Sequence, residues 1–165
     1  MPNAKLTVMF SMGRLAGPVW MCLARRGARS GSVVEIDALR AVLNPYFGAD
    51  LLDGVEVRVV DRVQTPGARI EPAGLCLGRV VVIARDVAAS DRFEAVLFHE
   101  LVHCVQMQRM GRARFCGAYL AGWWAAGGNY LDIPLEIEAF TLQDRFQAGE
   151  IFCVADALQD EAAAR

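Results

Sequence analysis

The two histidines of this chain stand four residues apart, in the run Phe98-His99-Glu100-Leu101-Val102-His103. Around them Phe93, Val96, Leu97, Leu101, Val105 and Met110 recur at mostly helical spacing, which predicts one long helix over about 92–110. Asp91 is placed as its N-cap, with Glu94 three residues on as in a capping box, and Gly111 as the residue that stops it. On such a helix, residues four apart lie one above the other on one face. His99 and His103 therefore present two imidazoles one turn apart, a separation that suits a single tetrahedral Zn2+. Glu100, beside the first of them, is placed to act as general base toward a metal-activated water.

The rest of the composition bounds what surrounds that helix. A chain of 165 residues fits one ordinary domain, and 55% hydrophobic against 22% charged residues excludes wholesale disorder. Seventeen basic against nineteen acidic residues give a net charge of -2, so no nucleic-acid partner is expected. Five widely spaced cysteines with no C-x-x-C pair argue against a zinc ribbon or a disulfide scaffold, and reduced, mostly buried thiols are expected. Mean hydropathy is high at +0.28, yet no uncharged run reaches the ~18 residues of a membrane span. Leu6–Met12 and Leu15–Ala24 are apolar, with Arg14 between them, Lys5 before and Arg25-Arg26 after. No clean signal-peptide cleavage site follows, so a cytoplasmic location is expected. Residues 1–30 read as an N-terminal extension that packs on the domain or on a membrane surface, and 31–165 as the domain itself.

Arg26–Ser32 reads as a Gly-rich linker, and residues 33–47 as a helix that Asn44-Pro45 ends. Residues 55–60 alternate as a half-buried strand, 75–77 and 79–84 follow as further strands, and Thr65-Pro66-Gly67 is a turn. Beyond the histidine helix, a short helix is expected at about 114–126, then a loop, a helix opened by Pro134 and ended by Gly149, and a last one at about 154–163. The fold class expected is α+β: a small antiparallel sheet packed on the H-E-x-x-H helix, followed by further helices.

A hydrolytic zinc site needs a third protein ligand, and with no histidine left it must be Asp, Glu or Cys. The longer pattern H-E-x-x-H-x-x-G-x-x-H is absent, since Gln106 and Arg109 stand at its Gly and third His. Pro134-Leu135-Glu136-Ile137-Glu138-Ala139 puts two carboxylates early in a new helix, where the helix dipole also favours acids. Asp132 and Asp144 are the fallback candidates. Cys104 follows His103 directly and points about 100° away, a poor co-ligand.

The pattern resembles that of the gluzincins, with H-E-x-x-H on one helix and a glutamate ligand on a later one. Several gluzincin groups show the later helix as E-x-x-A followed by an acid or amide. Glu136-Ile-Glu-Ala139 matches the first four positions, which makes Glu136 the implied ligand and leaves Glu138 as the alternative; Phe140 departs from the pattern where an orienting acid or amide often stands. The run His99-Glu100-Leu101-Val102-His103-Cys104-Val105-Gln106 more closely resembles small bacterial metallopeptidase-like domains with an H-E-L-x-H-x-x-Q core. Among these is the domain of unknown function associated with extracellular contractile injection systems. The resemblance is carried by about residues 97–140. It implies a zinc-dependent peptidase acting on a peptide or protein substrate. Tyr119 and Tyr130 are candidate donors to an oxyanion, though core packing accounts for either. Trp123-Trp124 would shape a groove or touch a membrane surface, though burial of at least one of them is expected. Arg109, Arg112 and Arg114 form a small basic cluster. The alternative to an enzyme is a non-catalytic zinc-containing binding module. Oligomeric state is not legible in the sequence.

Overall fold

The computed structural model describes residues 4–63 and 71–163, the last four by backbone alone. The expected turn at Thr65-Pro66-Gly67 lies outside the described residues. In chain order the elements are α1 (Ala4–Ala28), β1 (Ser32–Val34), α2 (Asp37–Phe47), α3 (Ala49–Asp53), β2 (Glu56–Val60), β3 (Gly74–Cys76), β4 (Val80–Ala84), α4 (Arg85–Ala88), α5 (Phe93–Met110), α6 (Arg112–Ala125), a 3-10 turn (Tyr130–Asp132), α7 (Pro134–Gln147) and α8 (Val154–Ala163). The α+β class holds.

The sheet is mixed rather than antiparallel, in the order β1-β2-β4-β3. β3 and β4 form the expected antiparallel pair, with Cys76 opposite Val81. β4 then inserts between β3 and β2 and runs parallel to β2, Val57 facing Val81 and Val59 facing Ile83. Alternation along a strand reports which face is buried, not which neighbour it pairs with, so the parallel pair left no trace in the sequence. β4 is buried at every position because it is internal and covered on both faces. β1 is a correction: Val33 belongs to a three-residue strand paired antiparallel with β2, and the helix begins only at Asp37. That helix also runs through Pro45 to Phe47, stopping at Gly48 in a left-handed conformation (φ 71°). Tyr46 is buried and Phe47 packs against the core, which anchors the turn that Pro45 would otherwise loosen.

α5 lies against the sheet face formed by Gly74 and Cys76 of β3 and their neighbours. Every residue from Leu97 to Met107 is buried, as expected for a helix enclosed on all sides. Its start differs from the sequence reading. Arg92, in helical conformation, precedes the first turn, and Ser90 Oγ, not Asp91, accepts the Arg92 N–H at 3.2 Å. Gly111 ends it with φ 79°. Phe98 centres an aromatic cluster: it stacks on Phe146 of α7 at 4.3 Å and meets Tyr46 edge-on at 5.4 Å, while Tyr46 also meets Phe152. Aromatic pairs in these geometries add ~0.5–1.5 kcal/mol each beyond burial, so α2, α5 and α7 are fixed relative to one another immediately beside His99.

α1 is a single helix that takes in part of the expected linker and packs along α6. The approach is close enough to require glycine: a Cβ at Gly13 would lie 2.5 Å from the Cys116 carbonyl oxygen, and one at Gly17 2.2 Å from Cys116 Cβ. Near its other end Ala24 and Ala28 are buried, which carries the helix through Arg25 and Arg26. Among the described helices α1 is the one long and apolar enough, by length and composition, to cross a membrane. Of the five thiols, Cys76 and Cys104 are buried, Cys116 is intermediate, and Cys22 and Cys153 are exposed, fewer inside than composition suggested.

Candidate metal centre

An uncompensated polar group inside a protein costs on the order of 1–3 kcal/mol, and a charged one more. The most buried stretch of α5 carries four polar side chains, His99, Glu100, His103 and Gln106. Where their partners come from defines the site.

The first partner is Glu136, 2% exposed. Pro134 opens α7 at a position where its missing N–H costs nothing, and this sets Glu136 in the first turn, facing α5. His99 Nε2 lies 3.0 Å from Glu136 Oε2, and His103 Nε2 lies 3.4 Å from Glu136 Oε1. One ligand atom from each of the three residues falls within 4.8 Å of the other two. The elements that were expected to supply metal ligands thus do meet, across 37 residues of chain.

The second partner is Gln106, three residues beyond His103 on α5. Its amide nitrogen donates to the Leu135 carbonyl and to Glu138 Oε2, each at 3.0 Å. Its amide oxygen therefore faces His103 Nδ1 at 2.7 Å and accepts that N–H. The bond fixes the ring so that Nε2 points toward Glu136. Glu138 is occupied in anchoring Gln106 and lies outside the three-residue group, as do Asp132, which accepts from Asn129, and Asp144. The signal for this chain of contacts was the three-residue step from His103 to Gln106, which puts both on one helix face.

His99 is held differently. Its Nδ1 is buried and has no hydrogen-bond partner, and the ring of Phe140 sits 4.5 Å from the imidazole. The position that carries an acid or amide in several gluzincin groups here offers only an aromatic surface. One histidine is thus oriented by a hydrogen bond and the other by packing.

Glu100 turns toward the sheet. It accepts the backbone N–H of Cys76, and a Cβ at Gly74 would lie 2.8 Å from both its Cγ and its Oε1. β3 therefore has room for Glu100 only because residue 74 is glycine. Burial pushes the Glu100 carboxyl above the usual carboxylate range, against the pull of His103 and His99. Glu136 goes the other way: burial alone would raise it, but His103 and His99 hold it well below that range. Burial alone would lower His103, but Glu136 and Glu100 push it up to about 10.

Tyr119 donates to Glu136 Oε1 at 2.7 Å, and Tyr130 is also hydrogen-bonded to Glu136; burial and that carboxylate push both phenols up. Both therefore point into the site. Cys104 faces away from it, with its sulfur 3.1 Å from that of Cys76, under the sheet. Trp123 and Trp124 are both exposed, against the expected burial of one of them, and neither belongs to the three-residue group.

Two imidazole nitrogens and a carboxylate oxygen, converging and buried, form a group that can hold a metal ion, set on an α+β scaffold. Residues 36–111 match the family model described as the eCIS core domain. The matched stretch begins just before α2 and closes at Gly111, so it includes the whole of the H-E-x-x-H helix and ends before Glu136. It is under half of the chain, and it agrees with the likeness drawn from the H-E-L-x-H-x-x-Q core. The chain matches no curated protein and no solved structure.

Proposed function

We propose that the chain is a zinc-dependent, metallopeptidase-like hydrolase in which His99, His103 and Glu136 hold the ion and Glu100 is the general base. The observation that carries this reading is the convergence of those three ligand atoms directly beside Glu100. The donor set is the one zinc favours in hydrolytic sites, where three protein ligands leave one position open. When bound there, zinc supplies a Lewis acid that acidifies a water and polarises a carbonyl. The chain's own residues do the rest. Glu100 takes the proton of the attacking water and returns it to the leaving amine, and its burial, which raises the carboxyl above the usual carboxylate range, favours it holding that proton between the two steps. Gln106 keeps His103 Nε2 aimed at the ion. Tyr119 and Tyr130, both hydrogen-bonded to Glu136, are the phenols within the site that could turn to donate to the oxyanion when the ion takes up that carboxylate. A peptide or protein substrate is the class implied by the motif.

The experiment is metal content by plasma mass spectrometry, followed by a peptide-library screen of the zinc-loaded protein. About one zinc per chain, lost in His99→Ala and Glu136→Ala and retained in Glu100→Gln, is expected. Hydrolysis should disappear in Glu100→Gln. Retained hydrolysis in that variant sinks the mechanism.

A second reading, a non-catalytic zinc module, is favoured by one observation: His99, Glu100, His103 and Glu136 are all 6% exposed or less. On that reading zinc is retained, no peptide is cleaved, and Glu100→Gln changes nothing but stability.

A further inference from the structure

α1 has two apolar sides. One packs on α6 through Gly13 and Gly17 and on the core through Met21 and Ala24. On the opposite side Val8, Met12, Leu15, Val19 and Leu23 follow one another at steps of three or four residues, a continuous stripe along one helix face. All five are more than half exposed, and Leu15 is 79% exposed. The stripe runs ~22 Å, at 1.5 Å per residue. A row of large apolar side chains of that length is not scatter; it marks a surface that something covers.

The charges say what covers it. Residues 1–30 hold Lys5, Arg14, Arg25, Arg26 and Arg29 and no acid. With twelve basic and nineteen acidic residues left, the remainder of the chain carries -7. The apolar stripe therefore lies on a purely cationic helix set against an acidic body. A second copy of α1 laid on the first would bring like charges together, which works against self-pairing. An anionic lipid surface satisfies both features at once, taking the stripe into its acyl boundary and the basic side chains among its headgroups. The glycine contacts with Cys116 decide the orientation: α1 could cross a bilayer only by leaving α6, whereas lying in the interface keeps that packing.

We infer that the outer face of α1 is a docking surface for an anionic membrane, which the protein meets side-on with α1 parallel to the bilayer. This goes beyond the hydrolase reading and does not depend on it.

The test is co-sedimentation of the full chain with vesicles of phosphatidylcholine alone and of phosphatidylcholine mixed with phosphatidylglycerol, at low and high salt. Binding to the mixed vesicles, weakened by salt, is expected. The double variant Leu15→Glu with Val19→Glu, on the face turned away from α6, should abolish it while leaving far-UV circular dichroism unchanged. Arg25→Gln with Arg26→Gln, which leaves the stripe intact, should weaken binding roughly thirtyfold. Equal binding to both vesicle types overturns the anionic-surface inference, as does equal binding by the Leu15/Val19 variant. So does a dimer in light scattering that the Leu15/Val19 variant dissolves while vesicles bind neither form. A fluorophore attached through Leu15→Cys that is quenched by lipids labelled at the bilayer centre rather than just below the headgroups would show a crossing helix and overturn the side-on placement.

Discussion

His103 and His99 are the same residue type on the same helix face, yet they are held by different physics. His103 has a complete hydrogen-bond relay, from Glu138 through Gln106 to its Nδ1, while His99 has the Phe140 ring and an orphan nitrogen. Groups that orient a ligating imidazole typically contribute 10–100-fold to metal affinity. Gln106→Leu should therefore weaken zinc binding by about that factor, measured by competition with a chromophoric chelator, with the helix content kept. An unchanged affinity would show that packing alone orients His103. The pair's titration can be read in the same protein. His103 in the metal-free fold holds its proton up to about 10, against 6.5 for an ordinary imidazole. The folded state thus binds that proton more tightly than the unfolded one, and the resulting stabilisation is complete below pH 6.5 and lost as pH rises through about 10. Glu136, held below its ordinary 4.5, contributes in the opposite direction, its share being lost as pH falls below that value. Thermal melts of metal-free protein should accordingly decline on the alkaline side, and zinc-loaded protein, whose His103 has already given up that proton, should decline less.

At the scale of elements, β3 is the piece whose sequence is most tightly constrained by the site. Gly74 leaves the space that the Glu100 side chain fills, and Cys76 supplies the N–H that Glu100 accepts. Gly74→Ala should push Glu100 off that position. It is expected to retain zinc and to lower hydrolysis well below wild type, separating base placement from metal binding in one variant. Wild-type turnover would mean that Glu100 reaches its working position from elsewhere. The same strand shows why some of the architecture could be read from sequence and some could not. The periodicity of Phe93–Met110 and the punctuation at Gly111 and Pro134 are local signals that survive folding unchanged, whereas Glu136 is marked out from Glu138 only by a family likeness, because its meeting with His99 spans 37 residues of chain. The β2–β4 pairing depends on which strand slides between two others, and β1 is only three residues long, too short to outweigh the helical spacing beside it. Pro45 misled for a related reason: it signals a helix end locally, while the burial of the adjacent Tyr46 against Phe98, Phe146 and Phe152, far along the chain, decides otherwise. Gln106 and Gly74 were visible as letters, but their roles rest on contacts 29 residues away in one case and 26 in the other.

For the whole molecule, the ligands are divided between two helices that α6 and a glycine-rich bend separate. Gly127 and Gly128 sit in that bend with φ 62° and 85°, and Gly127 is exposed. A metal held by His99, His103 and Glu136 would then act as a rivet through a loop of 37 residues, closing in the native state what the unfolded chain would leave open. The unfolded chain does not keep the three ligands together, so the free energy of binding the ion counts directly toward folding. A protein nicked at Gly127 should in consequence keep its two fragments together through size-exclusion chromatography while zinc is present and release them on chelation more readily than the intact chain unfolds. Fragments that stay joined without zinc would assign that cohesion to the aromatic contacts around Phe98 instead.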